Sequence, residues 1–349
     1  MAKFEYPELL KEMIEKRFVN VRKHPRYPLW LYNYSKRAQH QELWNEATVA
    51  CRGMIMDAHL NIVSRPFEKF FNYREPNITT IPDEPFTVSE KIDGSLGISY
   101  WYKGVWRIAT RGSFTGKQAT RATRILRKKY RKHIAKMRPE YTYLFEIIYP
   151  QNRIIINYGD REELVLLAVI NTETGAEITE NLEDTGFPLP KSLNINSFED
   201  ILKLKAQGCD NAEGVVVRFE SGLRMKVKFE EYMRLHTIML NITGIKVWKY
   251  ISRGSDLNEL YNNATEDQKQ WLKNAAAKIS ADYYALKQQI TDEFCTMSKL
   301  GTKNEVANYI TGRRNEAILR ALIDGKPAEK MLWQMIKPGE NDSWFAQRG

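Results

Sequence analysis

Cysteine is scarce in this 349-residue chain. Its three cysteines, Cys51, Cys209 and Cys295, are odd in number and far apart, and no Cys-x-x-Cys pair occurs. With five histidines in all, the sequence offers no cluster spaced for zinc. A disulfide scaffold is excluded, and reduced thiols are expected. Long apolar runs are missing too: no stretch approaches the length that crosses a bilayer. The N-terminal MAKFEYPELLKEMIEKRF alternates charge with apolar residues and lacks the apolar centre of a signal peptide. The expectation is a soluble, cytoplasmic chain with no membrane partner. Acid is in deficit, 43 Asp and Glu against 53 Lys and Arg, which gives a net charge of +10. A basic balance of that size leans toward a polyanionic partner such as nucleic acid. Proline is absent between Pro190 and Pro327.

What is present divides the chain in two. From about residue 50 to 230, short runs rich in Val, Ile, Tyr and Phe alternate with turn residues: GISYWYKGVWRIAT, TYLFEIIYPQNRIIINY, ELVLLAVINTETG and VVVRFESGLRMKVKF. The last reads as a hairpin turning at Ser221-Gly222. From about Ser255 onward Ala, Leu, Lys, Gln and Glu dominate, and apolar residues recur at three- and four-residue spacing. The fold expected is α+β: a domain of antiparallel sheets with flanking helices over residues 1–245, then an all-α domain over 246–349. Inside the first domain, Lys117 to Arg138 holds ten Lys or Arg and no acid, with Ile125, Leu126, Tyr130, Ile134 and Met137 at helical spacing. It reads either as a merely basic surface helix or as one that contacts phosphates. Tyr130 is either a stacking platform for unpaired bases or a core residue.

Lys91-Ile92-Asp93-Gly94 precedes a strand. A lysine beside an aspartate is usually a solvated pair, but Lys-x-Asp-Gly also suits a nucleophile at the mouth of a nucleotide pocket. An amine that attacks the α-phosphorus of a nucleotide must lose its proton, and the charge on the transferring group must be neutralised by cations. Such a site calls for downstream carboxylates and a close pair of basic residues. Glu146 is one acid in the otherwise apolar or aromatic run TYLFEIIYP. Glu213 stands beside Gly214 ahead of three valines. Lys226 and Lys228 are two apart, so on a strand both project to one face, where they repel unless they share an anion. Each signal alone has a plain structural reading; their order within one β-rich domain does not.

In that order the motifs resemble the covalent nucleotidyltransferase superfamily of ATP-dependent DNA ligases, RNA ligases and mRNA capping enzymes. The resemblance makes Lys91 the nucleophile that carries AMP, with Glu90 and Gly94 beside it at the nucleotide. It gives Asp93 the role of orienting the site or its metal waters, Glu146 the ribose and metal shell, Glu213 with Gly214 the catalytic metal, and Lys226 and Lys228 the α-phosphate. The chain then runs into helices rather than the five-stranded barrel usual in DNA ligases and capping enzymes. Upstream, CRGMIMDAHLNIVSRPFEKFFNYRE is similar to a segment of the phage T4 RNA ligase 1 family. By that resemblance Arg52 and Lys69 bind the ATP phosphates, and Phe70 or Phe71 packs near the adenine. Arg111, in TRGSFTGKQAT, stands where the family commonly has lysine, and Lys117 is a second candidate for that contact.

The resemblance implies an ATP-dependent RNA ligase that seals 5′-phosphate and 3′-hydroxyl ends through lysyl-AMP and adenylylated RNA, in RNA repair with tRNA as the suggested substrate. It implies Mg²⁺ or Mn²⁺ held directly or through water by Glu146, Glu213 and Asp93, single-stranded RNA or tRNA ends as partners, a monomer, and the host cytoplasm if a phage encodes it. A DNA ligase, a GTP-dependent capping-type enzyme and a non-catalytic RNA-binding protein are the alternatives.

Overall fold

The computed structural model describes residues 2–78, 80–240, 242–261, 264, 266–339 and 342–344. The chain divides into two compact units, residues 1–234 and 235–349.

The first unit contains fourteen strands among its described residues: β1 Val19–Lys23, β2 Leu29–Tyr34, β3 Arg52–Asp57, β4 Ile62–Ser64, β5 Phe71–Asn72, β6 Phe86–Glu90, β7 Ser95–Tyr102, β8 Val105–Thr110, β9 Tyr141–Ile148, β10 Glu163–Asn171, β11 Glu177–Ile178, β12 Ser192–Leu193, β13 Gly214–Phe219 and β14 Arg224–Lys228. Its helices are α1 Pro7–Glu15, α2 Lys36–His40, α3 Glu46–Ala50, α4 Lys117–Lys129, α5 Arg131–Ile134 and α6 Phe198–Gln207; α7, Glu230–Leu240, leads into the second unit. Three sheets form. One has the order β1-β2-β3-β4, a second β11-β10-β9-β7-β8, and a third β12-β6-β13-β14-β5. All pairings are antiparallel except β14 with β5.

Local chemistry explains the hairpins. Lys103 (φ 51°) and Gly104 (φ 73°) give β7 and β8 the two left-handed residues of a tight turn, and Gly222 (φ 89°) serves β13 and β14. On β14, Met225 and Val227 point into the core, which leaves Arg224, Lys226 and Lys228 on the opposite face. On β13, Val215, Val217 and Phe219 fill the same core. The second sheet buries Phe145, Ile147, Leu164 and Leu166 beneath α4, whose Ala119, Ala122, Ile125 and Leu126 form the inward stripe. The inner faces of the second and third sheets are thus left to line a cavity.

One expectation is corrected here, and one open choice is decided. Arg153 to Tyr158 reads as a strand but is not one: Pro150–Asn152 is a 3-10 turn, and the segment after it runs as a loop. The Asp93 carboxylate accepts the Ile155 and Ile156 N–H groups, so these donors are taken from any ladder. Tyr130 is a core residue, buried against Phe187 at 4.8 Å between ring centroids, and does not present a ring for base stacking.

The second unit is helical. Past α7 it contains α8 Gly244–Ser252, α9 Asn258–Tyr261, α10 Glu266–Met297, α11 Lys303–Ile310, α12 Glu316–Ile323 and α13 Glu329–Met335. Its only β feature among the described residues is the isolated bridge between Thr243 and Ser343. Thr243 caps α8 by accepting from the Lys246 N–H, and Thr302 with Glu305 forms a capping box on α11. Ile290, Met297, Ile310, Ile318 and Leu319 form its core, and Trp333 stacks on Tyr283 with centroids 4.1 Å apart. Among the described residues no helix is long and apolar enough to cross a membrane.

Candidate active site

A cavity of about 890 Å³ opens between the second and third sheets of the first unit, a size suited to a small organic ligand. Lys91 sits at its wall, one residue beyond β6, where its N–H donates to the Gly214 carbonyl at 2.9 Å. Its Nζ lies 2.6 Å from Glu213 Oε2, and Lys228 Nζ lies 3.0 Å from Glu213 Oε1. One carboxylate, only 3% exposed, therefore holds two lysines.

The glycines explain why the motifs have the form they do. A Cβ on Gly94 would stand 2.6 Å from the Ile147 carbonyl oxygen and 3.1 Å from Glu146 Cγ. Only glycine lets the Lys91 turn pack directly on the strand that carries Glu146. Gly214 has φ 151°, and a Cβ there would meet the Val227 carbonyl oxygen at 2.2 Å. That close approach brings Glu213 alongside β14 and its lysines.

Asp93 is buried, and its carboxylate is occupied. Oδ2 accepts from the N–H groups of Ile155 and Ile156 at 2.9 and 3.0 Å, and Oδ1 accepts from the Tyr232 hydroxyl at 3.0 Å. Its own N–H donates to the Tyr158 hydroxyl at 2.8 Å. Burial, followed by the Glu213 charge, pushes its acidity toward the neutral form. Asp93 does not line the cavity, and neither does Glu213.

Glu146, on β9, does line it. Desolvation pushes its pKa up to about 8, against the pull of Lys91 and with the help of Glu213. Lys226 faces the same space. Burial, then the charges of Arg52, Lys69 and Lys91, pushes its pKa down to about 6. Its Nζ rests 4.5 Å from the centre of the Phe70 ring. Arg52 borders the cavity as well, with its guanidinium 5.4 Å from the same ring. Among the described residues, its buried Nε and Nη1 have no hydrogen-bond partner. Unpaired buried guanidinium nitrogens are costly and call for an anion.

The remaining candidates separate. Phe70, Glu90, Gly94 and Arg111 line the cavity. Arg111 Nη1 donates to the Tyr34 hydroxyl at 2.7 Å. Phe71 does not line it; its ring faces Trp44 at 5.6 Å. Lys69 lies behind the cavity wall, its Nζ 3.9 Å from the Phe71 ring, 4.8 Å from that of Trp44 and 3.6 Å from Glu75. Lys117 is exposed and outside the lining, whereas its neighbour Gln118 is within it.

Among the described residues, no three His, Cys, Asp or Glu side chains are grouped to hold a metal ion. Asp93, Glu146 and Glu213 are therefore not gathered as three direct ligands, which leaves contact through water as the form open to Asp93 and Glu213. Glu146 on the cavity wall fits the manner in which Mg²⁺ is usually held, by one or two carboxylates with phosphate oxygens and water.

Sequence reasoning missed Tyr158 and Tyr232, which anchor Asp93, and Tyr34 and Trp44, which support Arg111 and Lys69. Tyr232 follows Lys228 by four residues and lies beneath its ammonium at 5.0 Å, a spacing that the sequence did display.

Comparison with known proteins leads to the family that the motifs resemble. A family model described as RNA ligase, of the T4 RNA ligase 1 type, matches residues 50–233. A candidate bifunctional polynucleotide kinase/RNA ligase of Autographa californica nuclear polyhedrosis virus is 29% identical over 255 residues, covering 65% of this chain and 36% of that protein. A candidate RNA ligase of Thermovibrio ammonificans is 29% identical over 243 residues, 64% of this chain and 62% of the other. The match thus spans less than two thirds of the length of these two relatives. An RNA ligase of Rhodothermus phage RM378 is 22% identical, over 99% of this chain and 90% of its own. Among solved structures, an archaeal ATP-dependent RNA ligase superposes with a TM-score of 0.46 at 14% identity, over 91% of this chain and 96% of that one.

Proposed function

The chain belongs to the RNA ligase family, and from that premise we propose that it is an ATP-dependent RNA ligase joining a 5′-phosphate to a 3′-hydroxyl. The observation that carries the reading is the meeting of Lys91 with Glu213 at 2.6 Å, on a cavity where buried Arg52 nitrogens lack a partner.

In the first step the Lys91 Nζ attacks the α-phosphorus of ATP. A P–N bond forms, the P–O bond to the β-phosphate breaks, and pyrophosphate leaves. The ammonium must shed a proton before it attacks, and Glu213 is the acceptor at hydrogen-bond distance. Arg52 and Lys226 face the space the phosphates would occupy. Lys226 takes up a proton readily once an anion is beside it. Phe70, which lines the cavity beside both cations, is the ring assigned here to the adenine. In the second step the RNA 5′-phosphate oxygen displaces Lys91 from the phosphorus, giving a 5′-5′ adenylylated end. In the third the 3′-hydroxyl attacks the RNA phosphate and AMP leaves. Mg²⁺ or Mn²⁺, with Glu146 as protein ligand, would neutralise charge on the transferring phosphoryl group. Asp93 acts in this scheme as a positioning residue that fixes the Lys91 turn to the 155–156 loop and to Tyr232. The reading extends to repair of cleaved RNA, tRNA among its substrates, by a cytoplasmic monomer; the family resemblance and the helical second unit support it.

The test is incubation with ATP labelled at the α-phosphate and Mg²⁺, then denaturing electrophoresis, with labelled GTP and Lys91→Ala alongside. Label from ATP on the wild type alone is expected. Label on Lys91→Ala overturns the nucleophile assignment, and label from GTP in place of ATP turns the reading to a capping-type enzyme. Sealing of nicked duplex DNA in preference to RNA turns it to a DNA ligase.

A further inference from the structure

We propose that the outer face of α4 is the track along which an RNA strand lies as it leaves the active-site cavity, held by its phosphates. The inference rests on the RNA ligase reading for the identity of the polyanion, and on the following geometry for its path.

The inward stripe of α4, Ala119, Ala122, Ile125 and Leu126, is buried on the second sheet. Lys117, Arg124 and Lys128 are spaced by seven and four residues, so they fall on one line opposite that stripe, and Arg131 opens the short helix α5 that follows. All four are exposed. Of the other cations of the helix, Arg121 pairs with Glu162, Lys129 lies 3.5 Å from Glu163, and Arg127 donates to the Trp106 carbonyl at 3.4 Å. Among the described residues, Lys117, Arg124, Lys128 and Arg131 have no acidic partner. A line of like charges left without counter-ions repels itself, and a polyanion relieves the repulsion.

The line also starts in the right place. Gln118, in the first turn of α4, lines the cavity, as do Arg111 and Gly112 in the preceding loop. Thirteen residues at 1.5 Å each carry the helix about 20 Å away from it, room for a run of several phosphates. The aromatic residue of the segment, Tyr130, faces the core. No ring is therefore offered for stacking there, and the contact is with the backbone alone. Binding to the track is indifferent to base sequence and sensitive to salt.

The experiment measures the affinity of a short 5′-phosphorylated single-stranded RNA between 50 and 200 mM salt. It compares the wild type with Arg124→Gln/Lys128→Gln/Arg131→Gln, and with Lys11→Gln/Arg22→Gln/Lys36→Gln, which removes the same charge from exposed positions elsewhere. Three lost phosphate contacts at about 0.7 each lower the slope of log affinity against log salt by about 2. Across that salt range the wild type would lose about 20-fold more affinity than the α4 variant. The control variant should keep the wild-type slope, as should Arg124→Lys/Arg131→Lys, which retains charge. An unchanged slope in the α4 variant overturns the track. An equal fall in both triple variants overturns it too, since the effect is then one of net charge. Lysyl-AMP formation is scored separately on the same proteins. Its absence in the wild type refutes the ligase reading, whereas normal adduct with an unaltered slope refutes only the track.

Discussion

Replacing Lys226 by Met should make the protein lose stability as pH rises from 6 to 8, and replacing Glu146 by Gln should make it gain stability over the same range. The two groups face one cavity and titrate in opposite senses. Lys226 has a folded pKa of about 6 against an ordinary 10.5. Between those values the unfolded chain holds a proton there that the folded chain does not, so its contribution to stability rises with pH. Glu146 has a folded pKa of about 8 against 4.5. Between those values the folded chain holds the extra proton, so its contribution falls with pH until about 8 and then levels. Each slope is about 1.4 kcal/mol per pH unit when fully developed. Each group is half titrated at one end of the window, so the integrated change is about 2 kcal/mol. In the wild type the two cancel, and each single variant unmasks the other. For a unit of this size about 2 kcal/mol moves the melting midpoint by about 4–8 °C. The assay is thermal melting at pH 6, 7 and 8 at matched ionic strength without nucleotide or metal. The readout is each variant's difference from wild type, so that titrations common to all proteins cancel. The double variant should return to the wild-type profile. If both single variants follow the wild type across the window, the burial and charge reasoning for this cavity is wrong.

Two further outcomes follow from the motif geometry. Glu213→Gln removes the charge that holds both Lys91 and Lys228; the lysines are partly exposed, so the loss in urea unfolding should be about 2 kcal/mol rather than the larger value for a fully buried pair. Lysyl-AMP formation should slow by about 100-fold or more, and a wild-type rate would remove Glu213 from proton transfer. Gly214→Ala places a methyl 2.2 Å from a backbone oxygen at φ 151°, which should destabilise the first unit by about 3 kcal/mol; an unmoved urea midpoint would show that the β13–β14 approach is not tight.

Much of the site was legible because its motifs are local. Lys-x-Asp-Gly compresses a nucleophile, an anchor and a close packing contact into four residues, and the alternation of Arg-Met-Lys-Val-Lys fixes which side chains share a face. The helical tail was legible for a similar reason, since a 3.6-residue period needs no partner to be seen. Arg153 to Tyr158 was misread because its apolar content suits a strand, while the carboxylate that claims its N–H groups lies some sixty residues upstream. Phe70 and Phe71 were indistinguishable in the sequence, since adjacent residues point to opposite sides and only the fold says which side is the cavity.

By itself the sequence determined the α+β class, the order of the motifs, the family they resemble and the basic character of α4. Each is read from local periodicity, from the motifs as they stand in the chain or from the residues present, and none needs a distant contact to be seen. Tertiary structure alone decided that one buried carboxylate joins Lys91 to Lys228, that Asp93 serves the loop rather than the cavity, and that Arg52 keeps unpaired nitrogens. It also decided that burial pushes the Glu146 acid up and the Lys226 ammonium down from their ordinary ranges. Each of those depends on how far a group is withdrawn from water and on which distant charges are brought beside it, and neither quantity exists before the sheets close over the site.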